Sequence, residues 1–404
     1  MSARQRLPAG TQLAPFRLPK ELVDAIIDHL HAADARSFMS LSLVARAWVS
    51  SSRLHLFSIV RPRIGPDNWK QLAGLLRNPL CTILSSIRRV HLVGFYGRQS
   101  VIRTNLSWLN KFANKVGQLE SVADLRLPFV GLANIATREV SLTIMTKISQ
   151  VFPRVQCLHL VRLNFTSFSD VSTAISLFAA VDELHIEGVT FGRTGDIPAC
   201  RPPPRMRRLK LDLRCQAFVD WLTLSSSPIF IDCIMLEIPL MNDTLIRQAA
   251  RLVYAAFPHL SHIHISVFDG NDLVSLLEQL MAHANLAPQL ESLVVHVVSS
   301  SGPSYNIRDT IRGVHPFLAH LNHAKMRELS FTFHWALRHR DAVKRVSVVQ
   351  WSAFDALFQR PNFPCLSVLG ISVKGMEDLR LDLLLPLCNE RGITLQTRVK
   401  EFGV

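Results

Sequence analysis

From residue 84 onward, a short arrangement of apolar positions, LxxLxL in outline, returns ten times along the chain. It reads Ile87, Val90, Leu92; Val122, Leu125, Leu127; Val155, Leu158, Leu160; Val181, Leu184, Ile186; and Met206, Leu209, Leu211. It continues as Ile231, Ile234, Leu236; Leu260, Ile263, Ile265; Leu290, Leu293, Val295; Met326, Leu329, Phe331; and Leu366, Leu369, Ile371. The last two members of each unit are two residues apart, the period of a strand with one buried face. Between units the apolar spacing changes to three and four. That predicts helices over Leu106 to Val116, Val140 to Phe152, Val171 to Phe178, Leu245 to Phe257 and Leu273 to Ala284. Phe-Pro at 152, 257 and 363 fits a helix that stops before the proline. Units follow one another at about 25 to 40 residues, and strand, helix, strand at that period predicts an α/β parallel solenoid. VQCLHLVRLNF at 155–165 and VDELHIEGVTF at 181–191 share their apolar positions in register. The stretch Arg201-Pro-Pro-Pro-Arg205 reads as a connector.

A different pattern precedes the array, in LPKELVDAIIDHLHAADARSFMSLSLVARAWVSSSRLHLF at 18–57. Leu18-Pro19 opens a helix where a residue without an amide hydrogen does least harm. Leu22, Ile26 and Leu30 then recur at helical spacing, Val23 and Ile27 widen the apolar face, and Lys20, Glu21, Asp24 and Asp28 take the rest. Phe38, Leu41, Val44 and Trp48 trace a second helical pattern, and Leu54, Leu56 and Phe57 a third, shorter one. About forty residues cannot bury so much apolar surface among themselves, so a partner is expected to cover part of it.

These residues resemble an F-box. Leu18-Pro19, Glu21-Leu22, Ile26-Ile27, Leu30, Leu43-Val44, Trp48 and Leu56-Phe57 are similar to the F-box of large fungal (basidiomycete-type) families that carry leucine-rich repeats behind it. The array itself resembles leucine-rich repeats, although the asparagine ladder of the familiar repeat is absent except at Asn164. The resemblance implies a three-helix F-box followed by an irregular leucine-rich-repeat solenoid with a parallel sheet on its concave face. It further implies that a Skp-type adaptor grips Leu18, Pro19, Leu22, Ile26, Ile27, Leu30, Leu41, Val44 and Trp48 and links the chain to a cullin ubiquitin ligase. The corresponding division is a tail at 1–17, the F-box at 18–60, a helical connector at 61–86 and the repeat domain at 87–404. An ordinary helical hairpin capping a repeat domain is the plainer alternative for 18–57.

Composition narrows the class. Hydrophobic content of 48% with 19% charged residues describes a folded chain. No uninterrupted apolar run approaches the eighteen or so residues of a bilayer span. The first seventeen residues hold Arg4, Arg6 and Arg17 but no apolar h-region or cleavage site, so the expected location is the cytoplasm or nucleus. Seven cysteines, an odd number without CxxC or zinc-type spacing, fit buried thiols. The triplets at Asn105, Asn164 and Asn242 then carry no glycan. Net charge is +14. The excess lies in the tail and in the larger C-terminal part, at Arg88-Arg89, Arg201 to Lys210 and Arg338 to Arg345. Such a surface favours acidic or phosphorylated partners, or serves only solubility. Nucleic acid is not expected, because aromatic content is 8% and no nucleic-acid-binding signature occurs.

The residue between the last two apolar members of each unit points away from the core. Read along the array it is His91, Arg126, His159, His185, Lys210, Met235, His264, Val294, Ser330 and Gly370. Four of these ten are histidine, in a chain with 16 histidines among 404 residues. His91, Arg126, His159, His185, Lys210 and His264 are therefore the candidate substrate-binding residues, suited to an acidic or phosphorylated segment of an unidentified protein. Glu187, Asp212 and Glu237 sit one position after the pattern, where they can orient the cations or reject a wrong ligand. Phosphate-loop, HExxH and GxSxG motifs are absent, and Cys157 with His159 lacks an evident orienting acid. A non-catalytic substrate receptor of an SCF-type ligase, with no cofactor and no metal, is the expected function. A repeat scaffold outside any ligase is the alternative, and a nucleic-acid-binding protein is a weaker one.

Overall fold

A strand with one leucine-rich face buries it only if something covers that face, and an amphipathic helix returning along the strand does so. Repetition adds strands edge to edge, all in one direction. The structure, a computed structural model, describes residues 19–33, 59–60, 69–78, 81, 84–92, 107–128, 140–193, 200–212, 216–224, 230–238, 243–267, 270–281, 289–298, 307–320, 324–334, 348–358, 363–373 and 380–397. Its strands are β1 (Ile59–Val60), β2 (Arg89–His91), β3 (Asp124–Pro128), β4 (Cys157–Val161), β5 (Asn164–Ser167), β6 (Glu183–Glu187) and β7 (Thr190–Arg193). There follow β8 (Arg208–Asp212), β9 (Cys233–Ile238), β10 (His262–Val267), β11 (Ser292–Val298), β12 (Glu328–His334), β13 (Val368–Val373) and β14 (Thr394–Gln396). The helices are α1 (Lys20–Ala33), α2 (Trp69–Arg77), α3 (Ser107–Lys115), α4 (Leu142–Val151), α5 (Phe168–Ser176) and α6 (Gln216–Leu224). They continue with α7 (Asp243–Ala256), α8 (Gly270–Met281), α9 (Ile307–His320), α10 (Val348–Phe358), α11 (Leu381–Leu384) and α12 (Pro386–Glu390).

Twelve strands form one sheet in the order β1-β2-β3-β4-β6-β8-β9-β10-β11-β12-β13-β14, with every pair parallel. Helices adjacent in sequence pack side by side from α2 to α5 and from α6 to α10. The fold is thus α/β with a long parallel sheet, solenoid-like in its construction. All ten sequence units lie at strands of this sheet, and their apolar residues are buried. A backbone ladder runs just ahead of the strands. Ala123 donates to Arg88, Gln156 to Ala123, Asp182 to Gln156 and Arg207 to Asp182, at 2.7–2.9 Å, and the ladder continues to Thr394 on Ser367 at 2.8 Å. It holds each strand in register with the one before it.

The two look-alike segments are structural equivalents. Residues 26 apart pair across β4 and β6, and again across a second, two-stranded parallel sheet of β5 and β7. The chain turns between the two sheets at positive φ, 53° at Arg162 and 59° at Gly188. A Cβ on Gly188 would lie 3.2 Å from Arg162 Cγ, so glycine relieves both the backbone and the contact. Behind this turn α5 starts with a capping box: Asp170 N–H donates to Ser167 Oγ at 3.2 Å, and Ser167 N–H donates to Asp170 Oδ2 at 3.1 Å. Asn164 is no member of a buried asparagine ladder; its Oδ1 accepts from Thr190 Oγ1 at 3.1 Å across the small sheet.

The sheet begins earlier than the boundary at 87 suggests. Ile59 and Val60 pair with Arg89 and Val90, so the first described strand of the sheet precedes α2 in the chain. A two-residue strand is too short to show alternation. At the other end, buried Asp355 of α10 accepts from the backbone amides of Leu387 and Cys388, both at 2.9 Å, and so caps α12. The Arg391 guanidinium donates to the carbonyls of Phe358 and Phe363. Arg201 to Arg205 is a loop leading into β8, as expected. Among the described residues no helix is long and apolar enough to cross a membrane.

Candidate recognition face of the sheet

Residues two apart on a strand share a face, and register carries them into rows across neighbouring strands. His91 pairs with Arg126, Arg126 with His159, His159 with His185, His185 with Lys210, Lys210 with Met235 and Met235 with His264. The six candidates therefore occupy one continuous row, which Val294, Ser330, Gly370 and Gln396 extend to the last strand. Each of the six is half-buried while the aliphatic residues flanking it are sealed, so the row lies on the sheet face turned away from the core. A second row, two residues earlier, holds Arg89, Asp124, Cys157, Glu183 and Arg208.

Acids beside the row answer its cations. His159 Nε2 lies 3.3 Å from Asp124 Oδ1, His185 Nε2 2.5 Å from Glu183 Oε1, and Lys210 Nζ 2.8 Å from Glu237 Oε1. Arg208 reaches the other oxygen of Glu183 at 2.6 Å, and Arg89 approaches Asp124 at 3.6 Å. The His159 and His185 rings are 4.0 Å apart, and His264 stacks on His296 at 4.6 Å. The face is a lattice of alternating charge, which sharpens the expectation of a basic stripe. An acidic ligand must displace an internal partner such as Glu237, so a segment that presents several acidic groups at the spacing of the row gains most.

Burial and neighbours set the protonation states. The hydrogen bond from His185 holds Glu183 below the usual carboxylate range against the opposing effect of burial, and Arg208 adds to it. Burial raises Asp124, but His159, His91 and Arg89 together outweigh it and leave that carboxyl lowered. Burial lowers His185 despite Glu183. It takes His264 down to about 4, with help from His296 and Lys210, so His264 is neutral at physiological pH. The Cys157 thiol is pushed far up by burial and then by Glu183 and Asp124. Burial and the neighbouring carboxylates thus favour the neutral thiol.

No family model matches the chain, and no curated protein matches its sequence.

At the N-terminus, Pro19 O accepts from the amides of Leu22 and Val23 at 3.1 Å and starts α1. Leu22 is 52% and Ile26 38% exposed, whereas Val23 is buried and Ile27 is fully buried at 0%. The helix turns Ile27 inward with Val23, while Leu22 and Ile26 face out. Leu18, Leu41, Val44 and Trp48, and the side chain of Leu30, lie outside the described residues. The expected adaptor site is represented here by Pro19, Leu22, Ile26 and Ile27.

Sequence spacing did not reveal two features of the face. His296 joins His264 only through the β10–β11 pairing. Cys157, His159 and His185 converge, with Asp124 and Glu183 at their edge, only through the pairings of β3, β4 and β6. The signal available was the recurrence of Asp124, Cys157 and Glu183 two residues before the row. The apolar pocket of Phe331, Phe333, Trp351 and Phe354 offers no polar group to orient a ligand.

Proposed function

We propose that this chain is the substrate-recognition subunit of an SCF-type ubiquitin ligase. Its N-terminal F-box-like segment docks on a Skp-type adaptor, and the charged face of the sheet holds a protein target. The observation that carries this reading is the exposed pair Leu22 and Ile26 on α1, at positions that the F-box resemblance assigns to the adaptor. Two large apolar side chains one helical turn apart and left in water are an anchor that a partner's groove can cover. The long sheet gives the reading its second half. A rigid array fixes a target at a set distance from the adaptor, which raises the effective concentration of a target lysine beside the conjugating enzyme. The chain itself then needs neither a catalytic residue nor a cofactor. Titration calorimetry of the full chain with a purified Skp-type adaptor tests this. The expected result is a one-to-one complex that Leu22→Glu with Ile26→Glu weakens by at least about 100-fold, since each change buries an unpaired charge. Equal affinity of wild type and double variant, with the circular dichroism spectrum unchanged, would overturn it.

A further inference from the structure

The geometry points to a zinc site on the open face of the sheet, built by Cys157 and His159 of β4 and His185 of β6. This goes beyond the receptor reading and does not depend on it. One donor atom from each of the three residues lies within 4.8 Å of the other two, and Cys157 Sγ is 3.0 Å from His159 Nε2. Donors around tetrahedral zinc stand about 3.3–3.7 Å apart, as follows from metal–ligand bonds of about 2.0–2.3 Å, so small side-chain rotations bring the three onto one ion. One thiolate and two imidazoles form a borderline-soft set that suits zinc better than magnesium or calcium.

The surroundings fit a cation as well. Glu183 Oε1 is 2.5 Å from His185 Nε2, and Asp124 lies 3.3 Å from His159 Nε2. Asp124 Oδ1 is sealed from solvent yet has no aligned hydrogen bond, an acceptor that a nearby divalent charge would satisfy. If His185 binds through Nδ1, Glu183 holds its Nε2–H in the carboxylate–histidine–metal arrangement; if through Nε2, Glu183 becomes the fourth donor. All five residues stand on strands whose register the backbone ladder and the small β5–β7 sheet fix on both sides, the rigid placement that a metal site requires. Binding replaces the Cys157 thiol proton, which leaves to solvent, with the ion. The result is a rivet across β4 and β6 in the middle of the charged row.

The test uses the full chain, freed of metal with a chelator and then titrated with zinc chloride against a chromophoric competitor, and in parallel with cobalt(II) chloride. About one equivalent should bind per chain, and the cobalt form should show a thiolate-to-metal charge-transfer band. Cys157→Ser should abolish the band, and Cys157→Ser and His185→Gln should each weaken zinc by at least about 100-fold. Exposed Cys365→Ser serves as the control and should change nothing. Zinc should also raise the melting temperature of wild type but not of Cys157→Ser. Sub-stoichiometric binding by wild type would overturn the proposal. So would a charge-transfer band that survives Cys157→Ser or disappears with Cys365→Ser.

Discussion

One row of the sheet is built in two ways. From β2 to β8 it reads His91, Arg126, His159, His185 and Lys210, half-buried, with carboxylates at hydrogen-bonding or ion-pair distance from His159, His185 and Lys210. From β11 to β13 the same register reads Val294, Ser330 and Gly370, with Val294 and Ser330 both 2% exposed. Both halves share the backbone ladder and the buried apolar residues on the opposite face. The fold therefore does not require charge at these positions, since small neutral residues serve equally well. Desolvating a histidine or a lysine costs stability that the fold does not recover unless each group is paired, and the N-terminal half supplies a partner for several of them. That expense is consistent with the recognition role proposed for this half. The C-terminal half of the row is neutral and sealed at Val294 and Ser330; the N-terminal half holds the titratable groups.

The contrast breaks most visibly where charge is placed in the neutral half. Ser330→Lys puts an ammonium between Val294 and Gly370, and it should destabilise by about 3–5 kcal/mol in urea unfolding. A loss below about 1 kcal/mol would mean that the two halves tolerate charge alike. Next in size is the cap that closes the neutral end. Asp355→Ala leaves two amides without their charged acceptor and should cost about 3 kcal/mol, while zinc binding at Cys157 stays unchanged.

A third, smaller effect lies where the halves meet. The folded-state pKa of His264 is lowered to about 4, so the folded chain resists a proton that the unfolded chain accepts near pH 6.5. Stability is then fully present above about pH 6.5 and is lost as pH falls toward 4, by about 2 kcal/mol between pH 7.5 and pH 5. His264→Asn should flatten that part of the pH–stability curve. An unchanged slope would show that another group sets it.

The sequence made the frame legible because a strand buried on one side repeats at period two, and ten such strands leave the same mark. Four residues of β5 and two of β1 are too few for that mark. Helices α6 and α10, QAFVDWLTL and VVQWSAFDALF, lack a broad polar face, and α9 contains Pro316, so helical spacing was obscured in each. The row of the candidate site was legible for the same period-two reason. Of the partners that neutralise it, Glu237 was legible as an acid beside the row, whereas Asp124 and Glu183 were not, and Cys157 meets His185 only after separate strands come into register. Which of the apolar residues on α1 face inward was not legible, since apolar residues on adjacent faces of a helix do not announce which face its own chain covers.

The receptor account is tested most directly by quantifying the proteins that co-purify from cells with wild type, Leu22→Glu/Ile26→Glu and Lys210→Glu. Wild type should bring down a Skp-type adaptor, a cullin and one or more targets. The α1 variant should lose adaptor and cullin but keep targets. Lys210→Glu, which breaks the pair with Glu237 and reverses charge mid-row, should keep adaptor and cullin while target recovery falls by about 5- to 100-fold, equivalent to about 1–3 kcal/mol. Wild type without adaptor or cullin, or two variants that lose the same proteins, would contradict the account.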